Sequence, residues 1–219
     1  MDKIDFKKRD KLFYSAKADR WTLVDVPEWH FLSVEGQGDP QTSPVYSAAV
    51  SALYSLSYGL KFRSKSVHQR DYVVGPLEGL WWADDMNAYR AGDRQAWKWR
   101  MMIRQPEWIT GSDVEAVRES ALGKIKPDAD VEATSAMLKA VSLGAFREGR
   151  ALQRLYFGPY VDEAPLLIDL HDRHMPDNGY LPAGLHHEIY LNDPRKVAPD
   201  KIKTLLRQPV RLAADGVAD

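Results

Sequence analysis

The chain reads His187-Glu188-Ile189-Tyr190-Leu191-Asn192-Asp193-Pro194 near its C-terminal end, followed by Leu205-Leu206-Arg207-Gln208-Pro209. The second segment repeats an earlier one, Met101-Met102-Ile103-Arg104-Gln105-Pro106, at a distance of 103 residues. A similar segment at a fixed distance indicates an internal duplication. We therefore expect two related units, each with a strand that contains Arg-Gln-Pro.

Both halves of the chain predict the order strand, helix, strand, strand. In the first half, the amphipathic spacing of Pro44–Leu60 predicts a helix that opens at Ser43-Pro44. Strand-like composition surrounds it, at His30–Glu35, Tyr72–Trp82 and Trp97–Ile109. The second half repeats this order, with strands at Leu152–Tyr160, His186–Leu191 and Ile202–Leu212 and a helix at Glu163–Arg173.

Neither half alone would cover both faces of its sheet. We expect a mixed α/β (α+β) fold of duplicated βαββ units with pseudo-two-fold symmetry and a central ligand cleft between antiparallel sheets. The predicted organisation is a single domain over 1–219, with a first repeat at 21–110, a helical linker at 111–145 and a second repeat at 146–212. Ser112-Asp113-Val114-Glu115 resembles a capping box that would open the linker.

Composition narrows the function classes. The 219 residues include 30 basic and 31 acidic side chains, giving a net charge of −1, so no electrostatic footprint for nucleic acid or a membrane surface is present. The absence of cysteine excludes disulfides and thiolate catalysis. The charged N-terminus lacks the apolar run of a signal peptide, and no stretch has the length of a membrane span. We expect a cytoplasmic protein.

Alternation along the predicted strand His186–Leu191 places His186, Glu188 and Tyr190 on one face and His187, Ile189 and Leu191 on the other. If the His187 face packs on the helix, the Glu188 face lines the cleft. Aligning the two halves by their loops pairs Gly79 with Glu188 and Trp81 with Tyr190. Sliding that alignment by one residue pairs Glu78 with Glu188 instead.

These segments, together with Gly158-Pro159-Tyr160 and Ala198-Pro199-Asp200-Lys201, resemble the closing half of a GyrI-like small-molecule-binding domain. Leu77–Trp82 and Trp97–Arg100 resemble a stand-alone branch of that family. The same fold serves as the effector-binding part of bacterial multidrug-responsive regulators. The resemblance implies that Glu188 sits in the cleft beside aromatic side chains and attracts flat, lipophilic cations. Some stand-alone members hydrolyse cyclopropane-bearing DNA alkylators.

Two hypotheses follow for the function. As a binding module, the protein would capture lipophilic, aromatic, often cationic small molecules. As a hydrolase, it would use Glu188 to activate water and Tyr156 to stabilise the oxygen that gains charge. The predicted ligand-binding residues are Glu188, Trp81, Trp99, Tyr190, His186, Met101 and Tyr72.

Each of these residues also has a simpler interpretation. Glu188 could be a solvent-facing strand carboxylate, and tryptophans and tyrosines most often serve as core packing. We expect Trp82, which alternates with Trp81, to face the helix. The histidines do not form a zinc-binding pattern, so no metal and no cofactor is predicted. No protein partner is indicated.

Overall fold

The structure is a computed structural model that describes residues 3–85, 93–125 and 131–216. The chain forms antiparallel β-sheet with helices, and the predicted mixed α/β fold is confirmed. It divides into two compact units. Unit 1 comprises Met1–Arg9 and Glu28–Phe146, and unit 2 comprises Asp10–Pro27 and Arg147–Asp219. The predicted duplication, its repeat boundaries and its central cleft stay predictions.

Unit 1 is built around strand β5 (Lys98–Gln105). It runs antiparallel to β2 (Thr22–Gln37, of which residues 28–37 belong to unit 1) and to β4 (Leu77–Trp82). A short parallel pair joins β1 (Lys3–Ile4) to β3 (Asp71–Tyr72). The predicted strand over Tyr72–Trp82 is therefore two strands, β3 and β4, interrupted before Pro76, which has no N–H to donate to a ladder.

The main helix of unit 1 is α3 (Pro44–Val67), preceded by the single turn α1 (Phe6–Arg9). Helix α3 begins where the sequence predicts, because Ser43 Oγ accepts a hydrogen bond from the Tyr46 N–H at 3.3 Å and Pro44 occupies the first turn. Its apolar stripe packs into the core, with Ala49, Ala52, Leu53, Leu56 and Leu60 all buried.

Two further helices occupy the predicted linker, α4 (Gly111–Leu122) and α5 (Val131–Ala140). The capping box is present, but the N-cap is Thr110 rather than Ser112. Thr110 Oγ1 accepts from the Asp113 N–H at 3.3 Å, and Asp113 Oδ2 accepts from the Thr110 N–H at 3.0 Å. Residues 126–130 of the linker and 86–92 of the predicted loop 84–94 lie outside the described residues.

Unit 2 is built around strand β9 (Lys203–Leu212), which is followed by a short 3₁₀ turn. One edge of β9 pairs antiparallel with residues 151–157 of β6 (Ser142–Phe157). The other edge pairs with β8 (His186–Tyr190) and with a short strand that the sequence did not indicate, β7 (Tyr180–Pro182). Strand β9 is therefore the centre of this sheet.

The helix of unit 2 is irregular. Helix α6 (Ala164–Asp169) passes through a π-helical segment at Leu170–His174 into α7 (Met175–Asp177). The N-terminal segment of unit 2, which contains α2 (Lys11–Tyr14), runs beside β6. There the Lys17 carbonyl accepts from the Leu155 N–H at 3.0 Å. None of the described helices is both long and apolar enough to cross a membrane.

Candidate functional site

Two glutamates of unit 2 form a buried pair. Glu188 lies in the middle of β8, and Glu163 directly precedes α6. Each is only 6% exposed, and their carboxyl groups share a hydrogen bond. Since two carboxylates cannot hydrogen-bond without a proton, the pair holds at least one.

Of the two carboxyl groups, Glu163 has the more strongly raised pKa. Burial raises the pKa of Glu163 well above its ordinary value, and the neighbouring charge of Glu188 and the hydrogen bond to it raise it further. Burial also raises the pKa of Glu188, but hydrogen bonds from Glu163 and from Tyr190 oppose that rise. Both pKa values are therefore raised, and Glu163 is the member of the pair that holds a proton more readily.

Tyrosines surround this pair. The rings of Tyr160 and Tyr190 meet edge to face at a centroid distance of 5.5 Å, and Tyr190 also hydrogen-bonds Glu188. Tyr156 lies close enough to Glu163 for that carboxyl, after burial, to raise the pKa of the phenol. The Tyr156 hydroxyl donates to the Pro159 carbonyl at 3.0 Å, which fixes the turn that carries Tyr160.

Gly158 makes that turn feasible. Its φ is 141°, in the region that side chains avoid, and a Cβ there would lie 2.7 Å from the Tyr156 hydroxyl. The Gly158-Pro159-Tyr160 segment of the sequence thus places an aromatic ring against the acidic pair.

His186 completes the polar side of the site. Its Nε2 lies 3.8 Å from Glu188 Oε1, and its side chain is 10% exposed. Burial lowers the pKa of His186 to about 3, with further lowering by His171 and His187. The imidazole is therefore neutral at physiological pH.

On β8 the helix-side face is the one that carries Glu188, so the condition under which that face would line the cleft is not met. The side chains of His186, Glu188 and Tyr190 face the helix, because they interact with His171 of the helix and with Glu163 at its start. The His187 face does not pack on the helix. The sequence alone fixed which residues share a face, since alternation is strict, but not which face the helix covers.

A buried ion cluster lies on the opposite face of β8. Glu148 Oε1 lies 2.9 Å from His187 Nδ1, and Glu148 Oε2 accepts from Arg207 Nη1 at 2.7 Å. Burial alone would raise the pKa of Glu148, but His187 and Arg207 lower it to about 2. Arg207 also donates to Gln153 and to the Phe13 carbonyl. This cluster ties β8 to β9 and β6 directly behind the acidic pair.

The tryptophans that the sequence singled out lie in unit 1. Trp81 stacks on Tyr46 of α3 at 6.2 Å, and Trp99 meets Tyr46 edge to face at 5.2 Å. Trp97 contacts Trp81 at 6.0 Å. Met101 lies one pleat further along the Trp99 face of β5 and is fully buried.

This arrangement corrects the expectation for Trp82. Trp81 contacts the helix, so Trp82, its neighbour on β4, points to the other face of the sheet. Gly79 shares the helix-side face with Trp81, whereas Glu78 lies opposite Met102 on the other face. Glu78 thus does not occupy the helix-side face that Glu188 occupies in unit 2.

Tyr72 packs in the core of unit 1 and takes part in a buried hydrogen-bond network. It is fully buried in β3, its hydroxyl donates to Gln105 Oε1 at 3.0 Å, and burial raises its pKa. Gln105 donates in turn to Ser57 of α3 at 3.2 Å. In unit 2, Gln208 of the second Arg-Gln-Pro segment donates to the Gly184 carbonyl at 3.0 Å. In both Arg-Gln-Pro segments the glutamine therefore joins neighbouring elements of the fold.

A cavity of about 510 Å³ opens on unit 1, on the sheet face away from α3. Phe31, Met102 and Phe146 form its apolar part. Its carboxylate, Glu35, is 54% exposed and ion-paired with Arg100. Such an exposed, neutralised carboxylate offers less to a ligand's charge or chemistry than the buried pair of unit 2.

Sequence reasoning missed Glu163, Tyr160 and Tyr46 as site residues. Glu163 was placed at the start of a helix, and an acidic residue there is normally explained by the helix dipole. Its signal was the following Ala164-Pro165, which fixes the first turn and hence the direction of the Glu163 side chain. In the described ranges, no group of three or more histidine, aspartate or glutamate side chains is arranged to hold a metal ion.

A known family and several solved structures resemble this chain. The model of the GyrI-like small-molecule-binding domain matches residues 21–211. An uncharacterized conserved protein from Listeria innocua is 39% identical, with a TM-score of 0.82 over 95% of this chain and 100% of that one. A hydrolase from Listeria innocua is 38% identical, with a TM-score of 0.79 over the same shares.

A more distant structure shares the fold. The C-terminal domain of EcmrR is 14% identical, with a TM-score of 0.54 over 88% of this chain and 98% of that one. No curated protein gives a significant match.

Proposed function

The chain belongs to the family of GyrI-like small-molecule-binding domains, and from that premise we propose that it hydrolyses flat, lipophilic small molecules. The observation that carries the proposal is the buried, hydrogen-bonded pair of Glu163 and Glu188. A carboxylate beside a carboxylic acid supplies a general base and a general acid at one point.

The roles follow from the protonation states. We assign Glu188, whose pKa is raised less than that of Glu163, the role of accepting a proton from the attacking water. Glu163, which holds the shared proton, can release it to an oxygen that gains negative charge, and the pair then returns to its starting state. Tyr156 was the predicted donor for that oxygen. Its hydroxyl is engaged with the Pro159 carbonyl, so Glu163 is the better candidate.

A strained cyclopropane joined to a conjugated carbonyl is the substrate class that suits this pair. Water oxygen forms a bond to a ring carbon while the carbon–carbon bond breaks. The electron pair moves to the carbonyl oxygen, which becomes a phenolate and takes up a proton. One proton leaves the water for Glu188 and one reaches the phenolate, so the product is the substrate plus one water.

The aromatic residues supply the binding surface. The edge-to-face pair of Tyr160 and Tyr190 beside Glu188 offers flat apolar contact at the point where the chemistry occurs. Trp81, Trp99 and Met101 stay predicted ligand-binding residues of unit 1. The 38% identical protein from Listeria innocua that is described as a hydrolase supports the reaction class.

Binding without turnover is the second candidate function. It is favoured by the single negative charge of the pair in a buried aromatic setting, which attracts a lipophilic cation that loses little hydration on entry. Under this alternative, Glu163 would only tune the charge of Glu188. A flat cation would then be held unchanged.

Mass spectrometry distinguishes the two functions. The purified protein is mixed with a cyclopropane-bearing duocarmycin-type compound in oxygen-18 water, and the labelled ring-opened product is measured over time. Multiple turnovers that are lost in Glu188→Gln and kept in Glu107→Gln, an exposed glutamate, support hydrolysis. Unchanged compound together with quenching of tryptophan fluorescence by a flat cationic dye supports binding alone. If the experiment gives no product and no quenching, both functions are contradicted.

A further inference from the structure

His186 has a feature that neither binding nor the acidic pair explains. It lies two residues before Glu188, so both side chains project from the same face of β8. Among the described residues, neither of its buried ring nitrogens has a hydrogen-bond partner. Leaving a buried polar group without a hydrogen-bond partner destabilises the folded protein. We therefore expect a ligand or a water molecule to supply the missing hydrogen-bond partner of His186.

The distance to Glu188 defines what that partner can be. Nε2 of His186 and Oε1 of Glu188 are 3.8 Å apart, which is too long for a direct hydrogen bond. A single oxygen atom can lie about 2.9 Å from both. The neutral imidazole has one donor and one acceptor nitrogen, so Nε2 can hold a water in either tautomer.

We propose that His186 is a positioning residue that, together with Glu188, holds the water molecule that attacks the substrate. This inference rests on the proposed hydrolysis and adds the element that orients its nucleophile. The water gives one proton to Glu188, and its free lone pair forms the new carbon–oxygen bond. His186 keeps its own proton throughout, so it contributes orientation rather than acid–base chemistry.

The neighbouring histidine does not share this role. His187 points to the opposite face of β8, where Nδ1 contacts Glu148 in the buried ion cluster. One histidine of the adjacent pair thus stabilises the sheet, while the other faces the carboxylates.

A crystal structure of the wild-type protein with ordered solvent tests whether a water molecule binds between His186 and Glu188. We expect one water within hydrogen-bond distance of both His186 Nε2 and Glu188 Oε1. That water should be absent from His186→Phe and present in His186→Asn, which keeps polar atoms in the same region. A wild-type structure in which no water occupies this place overturns the inference whether or not the protein is a hydrolase.

Steady-state kinetics on the duocarmycin-type compound test the role. His186→Phe is expected to lower kcat by about 100-fold with little change in KM, because the substrate still binds while the water is misplaced. His186→Asn should recover part of the loss, and His174→Phe in the same unit should behave as wild type. If the wild type turns over and His186→Phe keeps its kcat, the inference on His186 fails and hydrolysis stands. If the wild type shows no turnover, both fail.

Discussion

Unit 1 and unit 2 cover the helix-side faces of their sheets with opposite chemistry. In unit 1 that face carries Trp81, Trp99 and Met101, closed by Tyr46 of the helix. In unit 2 it carries Glu188 and His186, closed by Glu163 at the start of the helix. Burying aromatic rings stabilises the fold, whereas burying two carboxyl groups costs free energy. We therefore propose that the acidic pair of unit 2 is the functional site, held at a cost in stability.

The largest effect is expected when the carboxyl group of Glu188 in unit 2 is replaced by an amide. Glu188→Gln is expected to lower the turnover of the cyclopropane-bearing compound by about 10²–10⁴-fold, because the carboxyl group placed to take the proton from water becomes an amide. Circular dichroism should show an intact fold, since the amide has the same shape. Wild-type turnover in this variant would remove Glu188 from the mechanism.

The second-largest expected effect is a loss of stability when the buried ion cluster of Glu148, His187 and Arg207 is broken. Arg207→Met should lower the free energy of unfolding by about 3–5 kcal/mol, because it leaves Glu148 charged and buried without its guanidinium partner. Denaturant unfolding measures this loss. Arg211→Met, an exposed position on the same strand, serves as the matched control and should change little. Equal losses in both variants would show that the ion cluster has no special role.

Unit 1 can be disturbed through its tightest aromatic contact. A Cβ on Gly36 would lie 2.2 Å from the Trp99 ring, so Gly36→Ala should displace that indole and cost about 1–3 kcal/mol. Gly144→Ala, whose Cβ would meet no atom within 4 Å, is the control. A fully stable Gly36→Ala variant with unchanged tryptophan fluorescence would mean that the aromatic cluster is loosely packed.

The smallest effect is a pH dependence of stability. The pKa of Glu163 is raised in the folded protein, so its contribution is fully present below the unfolded-state pKa, near 4.5, and is lost as pH rises through the folded-state pKa. Glu163→Gln removes this loss. We expect the variant to gain on the order of 1 kcal/mol over wild type at about pH 8 and nothing at about pH 4.

Thermal unfolding of both proteins across this pH range gives the measurement. Glu107→Gln, an exposed glutamate, should show no such gain. A gain for Glu163→Gln that is equal at both pH values would exclude proton linkage as its cause.

The sequence predicted the parts of the fold that local physics determines. The N-cap at Ser43-Pro44 placed the start of α3, and strict alternation grouped Glu188 with His186 and Tyr190. It did not reveal which face the helix covers, because a strand with apolar and polar residues on both faces gives no preference. For the same reason, the sequence predicted that Trp82 faces the helix, whereas in the structure Trp81 does.

The candidate site was only half visible in the sequence because its second half depends on a long-range contact. Glu188 stood out as an acidic residue inside an apolar strand. Glu163 is 25 residues away along the chain and looks like an ordinary helix-start carboxylate until the fold brings it to Glu188. Residues 10–27 belong to unit 2. Their sequence contains no repeat or motif that predicts this.

The most direct test of this account is the protonation of the acidic pair. Carbon-13 NMR of protein labelled at its glutamate carboxyl groups, assigned with Glu163→Gln and Glu188→Gln, follows both groups through a pH titration. The account predicts that one carboxyl stays protonated far above the ordinary glutamate value of about 4.5 and that replacing either residue shifts the titration of the other. Two independent titrations near the ordinary value would contradict it.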